Sequence, residues 1–290
     1  MSTPATDSGR LLVQWLQRQL PPAARQWFDE ALAEVQADPS DRTFYKRFSL
    51  VARKIGKDDL SLSADDLAAA QQVRPGWSPQ EWSADQAARL ALMLLSQADE
   101  EKFFARAEQL FITADVGEQV ALYRGLPLYP GQAAFAYRGA EGLRTNIRSV
   151  FEAVAHRNPF PSEQFDENAW NQMVLKALFI GSPLWPMQGV DQRANPTLRT
   201  MLLDFAHERW AAHRPVPLEL WRSVALHPDE TALTDLAKVL ASSDLRERQA
   251  AALAIAGSAS AAAKQLLAEH PELERQAAAG EISWPAVTAQ

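Results

Sequence analysis

The chain has 290 residues, enough to bury a sizeable core as one large domain or two small ones. Apolar residues make up 47% and charged residues 22%, with a net charge of −7. This is a globular composition without the basic footprint that a phosphate backbone requires, so nucleic acid is excluded as an expected partner. There is no cysteine, which excludes disulfides, thiolate nucleophiles and cysteine-held metals.

Alanine occurs 51 times, against 20 for valine and isoleucine together. That balance favours helix, because alanine loses no side-chain entropy there and β-branched residues suit a pleat. The first residues carry no basic segment followed by an apolar one, and no apolar run approaches the ~20 residues of a membrane span. The expectation is a cytoplasmic protein without direct membrane insertion.

In chain order, residues 1–7 read as a frayed tail. Leu11, Leu12, Trp15, Leu16 and Leu20 fall at helical spacing, and Pro21-Pro22 ends that helix and opens the next. Trp27, Phe28, Leu32 and Val35 share one side of the second helix, which Asp38-Pro39-Ser40 breaks. A third runs through Phe44, Phe48 and Val51 to Gly56, a C-cap. A short helix starts at Ser63 and ends in the turn-rich segment Arg74–Pro79. Ser83 and Gln86 form a capping box ahead of the apolar run Leu90–Leu95. Further helices are expected at Phe103–Ile112 and Val116–Tyr123, before a kinked connection at Leu126–Gly131.

In the last third, helices are expected from Asp229, Asp244 and Ser258, the last two residues at N-caps. Residues 271–290 read as trailing off. No alternating run with hairpin chemistry occurs, so β content should be near zero. The expected fold is all-α, with about 13 to 16 short antiparallel helices stacked in a HEAT-like or α-solenoid manner. A single domain is expected over 1–290, with N-terminal helices at 8–56 and a C-terminal cap at 226–280.

Polar residues of unusual type concentrate between Gly139 and Trp221. Between Arg138 and Arg222 the chain carries ten basic and nine acidic residues, against nineteen and twenty-seven elsewhere. On a helix over Phe165–Ile180, capped by Asp166, residues Asn168, Asn171, Gln172 and Lys176 share a face. Two asparagines and a glutamine in one stripe suit amide contacts, either to a ligand or to neighbouring backbone. The loop Gly181–Pro196 is long for a helical domain and presents Trp185, Asp191 and Arg193. Asp191 and Arg193 are candidates to pair with each other, or with Lys176 and Glu208. Asn195-Pro196 reads as a helix start.

The following helix aligns Thr200, Asp204, His207 and Glu208. Carboxylates beside a histidine can orient a general acid/base, so His207, Asp204 and Glu208 are the candidate catalytic residues. Arg144, Asn171, Gln172, Lys176, Asp191, Arg193 and Trp210 are the candidate ligand-binding residues. Arg209 and Arg214 are further anion-binding candidates, with Trp221 packing over this group. Thr145 or Asn146 would cap the next helix. No metal-ligand spacing, glycine-rich phosphate loop or nucleophile elbow is present, so no metal or cofactor is expected.

Six segments carry a family resemblance: Glu141-Gly-Leu-Arg-Thr-Asn146, Val150-Phe-Glu-Ala-Val154, Asn158-Pro-Phe-Pro161, Trp170-Asn-Gln-Met-Val-Leu-Lys176, Asp191-Gln-Arg-Ala-Asn195 and His207-Glu-Arg-Trp-Ala211. Over residues 85–225 the chain resembles the EboA family, found in operons for exported secondary metabolites. The resemblance implies an accessory protein that holds a small-molecule intermediate or scaffolds pathway enzymes, with a UbiA-like membrane prenyltransferase among its possible partners. It brings no catalytic residue set. Two alternatives stand beside it: an enzyme using His207 as general acid/base, and a helical protein–protein interaction module whose polar residues are structural.

Overall fold

The computed structural model describes residues 3–38, 40–96 and 99–289. Among them the chain forms eighteen α-helices, two short 3-10 turns and no strand; one isolated antiparallel bridge joins Asp59 to Ser83. The all-α expectation holds. More helices form than expected, because Phe160–Gln164, Leu220–Val224 and Trp284–Thr288 are single turns, too short to show a period. The residues gather into two compact units, Met1–Phe165 and Asp166–Gln290.

The first unit holds α1 (Pro4–Gln19), α2 (Pro22–Ala37), α3 (Asp41–Ile55), α4 (Ala64–Val73), α5 (Ala84–Leu94), α6 (Glu100–Thr113) and α7 (Val116–Gly125). After the 3-10 turns Leu126–Leu128 and Gln132–Phe135 come α8 (Ala136–Arg144), α9 (Arg148–Ala155) and α10 (Phe160–Gln164). The segment expected to fray is instead helical from Pro4. Thr3 accepts the Thr6 N–H and Pro4 takes the first turn, where no N–H is needed. Met1 and Ser2 lie outside the described residues, as does Pro39 of the expected break. α2 ends at Ala37, and Ser40 caps α3.

The unit is built around α5. Ten of its eleven residues are buried, and it packs against α1, α2, α3 and α7. Ala84, Ala87, Ala88 and Ala91 allow this, since small side chains let neighbouring axes approach. Gln86 reaches back to the Ser83 N–H at 3.3 Å, as the capping box requires. The same helix buries an ion pair, Arg89 on Asp85 at 2.5 Å, with Ser83 donating to the other carboxylate oxygen.

In α8, Gly142 is a packing notch. A Cβ there would come within 2.6 Å of the Tyr123 ring and 2.8 Å of Val154. At the start of α9 neither Thr145 nor Asn146 is the cap residue, which is Ile147; Thr145 accepts the Ile147 N–H at 3.0 Å.

The second unit holds α11 (Glu167–Ile180), α12 (Pro196–Ala211), α13 (Leu220–Val224), α14 (Glu230–Leu240), α15 (Leu245–Ala256), α16 (Ala261–Ala268), α17 (Pro271–Ala278) and α18 (Trp284–Thr288). The expected trailing segment thus carries two helices, opened by Pro271 and by Ser283-Trp-Pro285; only Gln290 of it lies outside the described residues. α15 packs against α13, α14, α16, α17 and α18, and its buried face is again alanine-rich. Asp244 caps it as expected. The cap of α16 is Ser260 rather than Ser258, whose buried hydroxyl donates to the Ala225 carbonyl.

Candidate functional site

α11 places its polar stripe unevenly. Asp166 accepts the Ala169 N–H at 2.7 Å and starts the helix as expected. Asn171 is only 2% exposed, whereas Asn168 and Gln172 face solvent and Lys176 is half-buried. Asn171 forms a reciprocal amide pair with Asn195: Asn195 Nδ2 donates to its Oδ1 at 2.8 Å, and its own Nδ2 donates to Asn195 Oδ1 at 3.2 Å. Asn195 Oδ1 also accepts the Leu198 N–H that opens α12. Asn171 therefore fixes the end of the loop to α11. Burial lowers the pKa of Lys176.

The loop between α11 and α12 is held along its length. Arg193 lies 4.9 Å from the ring centre of the buried Trp170, a cation–π contact, and burial lowers its pKa. Asp191 pairs with neither Arg193 nor Lys176. Its carboxylate takes both arms of Arg222 on α13, at 2.6 and 2.9 Å, and Arg222 also lies over Trp284. At the loop start, Glu219 accepts the Leu184 N–H at 2.7 Å. Glu219 is 3% exposed, and burial raises its pKa to about 7.

On α12, Asp204 and Glu208 are exposed and neither holds His207. The carboxylate on His207 is Asp235 of α14, with Nε2 and Oδ2 2.6 Å apart. The imidazole stacks on Trp210 with ring centres at 5.8 Å. Trp210 stacks on the buried Trp221 at 5.6 Å, and Lys238 Nζ sits 3.5 Å from the Trp210 ring centre. The expected placement of Trp221 against Trp210 thus holds, and its neighbours on that ring are His207 and Lys238. Arg209 donates to the Pro215 carbonyl.

The structure joins His207 with Trp210, whereas Asn171 is paired with Asn195, Asp191 with Arg222 and Arg193 with Trp170. Arg144 lies in the other unit and pairs with Glu141 three residues before it. Among the described residues, no group of three or more histidine, aspartate or glutamate side chains is arranged to hold a metal ion.

Sequence reading missed Asp235, Lys238, Glu219 and Arg222. Asp235 had a signal: it is a lone acid on the buried stripe Ala232, Leu236 and Val239. A charge placed there needs a partner. Chemically, the His207–Asp235 set offers an imidazole fixed on one nitrogen beside an indole and an ammonium group. That arrangement suits contact with a planar or anionic molecule.

No helix among the described residues is long and apolar enough to cross a membrane. No curated protein and no solved structure matches the chain. The family model described as "Metabolite traffic protein EboA" matches residues 8–225, three-quarters of the sequence and all six of the segments singled out above. On that match the chain belongs to the EboA family.

Proposed function

We propose that the chain is a cytoplasmic accessory of metabolite traffic that holds a small-molecule precursor without transforming it, and hands it to partner enzymes such as a UbiA-like membrane prenyltransferase. The observation that carries this reading is the state of His207. Its Nε2 is held by Asp235 at 2.6 Å and its ring is stacked on Trp210, while Asp204 and Glu208 take no part. A histidine fastened between two helices and an indole is suited to building a surface. The family description supports the same reading.

The test is mass spectrometry of small molecules retained by the purified full chain, followed by incubation of the retained compound with the protein. Retention without conversion is the expected result, and retention weakened in Trp210→Ala places the contact. Conversion of the compound would overturn the proposal in favour of a second reading, a general acid/base enzyme. That reading has its own support, because the His207 side chain is 45% exposed beside its carboxylate. It requires turnover to vanish in a folded His207→Ala variant.

A further inference from the structure

In the unit Met1–Phe165, one cleft has left-handed backbone on both walls. Glu81 has φ +64° and Arg157 φ +49°, and neither is glycine. Residues with a Cβ adopt this conformation only where the surroundings over-determine it, and such positions gather at functional sites. Arg124, in the last turn of α7, donates from Nη1 to the Glu81 carbonyl at 2.7 Å and to Gln86 Oε1 at 2.6 Å. On the opposite wall Asn158 is buried and fully bonded. It donates to the carbonyls of Tyr123 and Ala153, at 3.1 Å each, and accepts the Phe160 N–H at 3.0 Å. This fixes the turn that carries Arg157, which reaches across to Gln80 at 3.2 Å and to the Glu81 carboxylate at 3.1 Å.

Between the walls is a cavity of about 60 Å³, lined by Arg124, Arg157, His156, Glu152, Gln80 and Trp82 among others. It brings two guanidinium groups and two carboxylates together. Arg124 is half-buried, and desolvation lowers its pKa; both of its hydrogen bonds go to neutral acceptors, while the carboxylates of Glu81, Asp59 and Glu152 act on it only through space. Glu152 is bonded to Arg148 at 2.7 Å, and Glu81 to Arg157. A half-buried guanidinium with no carboxylate at hydrogen-bond distance keeps donors for a further acceptor, and its planar fork matches an oxyanion. The Glu81 side chain is 63% exposed, so its hold on Arg157 is open to exchange.

We propose that this cleft binds the oxyanion end of a small molecule, a carboxylate or a phosphate, on Arg124, with Arg157 released from Glu81 to close over it. One water needs ~10–15 Å³ of such space. The cavity therefore admits a headgroup of a few atoms, and the remainder of the molecule stays outside. The proposal does not depend on His207 or on the role argued above.

The experiment is titration of the isotopically labelled full chain with inorganic phosphate and, separately, with acetate, at constant ionic strength against chloride. The backbone amides of Glu81 and Arg157 and the indole N–H of Trp82 report by nuclear magnetic resonance. A saturable shift in one arm or both is expected, and the stronger arm names the headgroup. Arg157→Ala should weaken binding roughly tenfold. Glu81→Gln removes the competing carboxylate from an exposed side chain and should tighten binding several-fold, a gain that a purely structural cleft would not show. Arg124→Gln should abolish binding; if that variant does not fold, the other two carry the test. The proposal is overturned if neither anion gives a saturable shift, or if Arg157→Ala and Glu81→Gln bind as the wild type does.

Discussion

Gly142 offers a test in which one substitution is expected to act with opposite signs at two sites. In an unconstrained helix, glycine to alanine is favourable by about 1 kcal/mol. At Gly142 the added methyl group would lie 2.6 Å from two atoms of the Tyr123 ring and 2.8 Å from Val154 Cγ2. Tyr123 and Val154 are both buried, on α7 and α9, so neither can swing into solvent. Overpacking of this kind costs ~1–3 kcal/mol, and clashes from two elements place it near the top of that range. The net for Gly142→Ala is then a loss of about 2 kcal/mol. For a unit of this size that lowers the unfolding midpoint by roughly 4–8 °C.

At Gly117, in the first turn of α7, the nearest atoms to a new Cβ are Asp115 Oδ1 at 3.4 Å and Lys57 Nζ at 3.9 Å, which is ordinary contact. Gly117→Ala should therefore be neutral or stabilising, by up to ~1 kcal/mol. Urea and thermal unfolding, followed by far-ultraviolet circular dichroism, measure both. A Gly142→Ala midpoint at or above the wild type would refute the reasoning, as would an equal loss at Gly117.

Glu219 predicts a dependence on pH. Its folded pKa, about 7, lies above the ordinary 4.5. Its contribution is thus fully present below pH 4.5 and is lost as pH rises towards 7, a change of ~3 kcal/mol at most. Glu219→Gln keeps an acceptor for the Leu184 N–H and should flatten that part of the stability profile; an unchanged slope between pH 5 and 7 would count against the assignment. Asn171→Ala removes both hydrogen bonds of the buried pair, leaving Asn195 only the Arg193 carbonyl and the Leu198 N–H, and should destabilise by ~1–3 kcal/mol, whereas Gln172→Ala on the same helix should stay within ~0.5 kcal/mol. Equal effects in chemical denaturation would contradict the described pairing. Asp85→Ala leaves Arg89 buried with only Glu118 near, at 3.6 Å, and should cost ~3–5 kcal/mol. A loss under 1 kcal/mol in the same assay would rule out the buried pair.

Local chemistry made much of the helical framework legible. Gln86 behind Ser83, Asp166, and Asn195 before Pro196 act where their side chains and the backbone require, because a cap depends on residues within one turn of it. Partners across the chain were not legible. Asp204 and Glu208 lie beside His207 in sequence and Asp235 far from it, and only the meeting of the α12 and α14 side chains in space selects the last. Asp191 finds Arg222, thirty-one residues away, rather than Arg193 beside it. The packing role of Gly142 was not legible because its neighbours in space, Tyr123 and Val154, are remote in sequence. The left-handed residues Glu81 and Arg157 were not legible, since no glycine marks them.

The two central helices differ in when their neighbours are made. During synthesis α1, α2 and α3 precede α5, and α7 follows after a short interval, so the surfaces that cover α5 emerge from the ribosome early. For α15 the order is split: α13 and α14 precede it, whereas α16, α17 and α18 are all translated after it. A nascent chain would therefore leave the part of the α15 surface that those last helices cover open until they appear. The second unit is accordingly the one whose newly made form offers apolar surface to chaperones or to other nascent chains, and the one in which a premature stop does most harm.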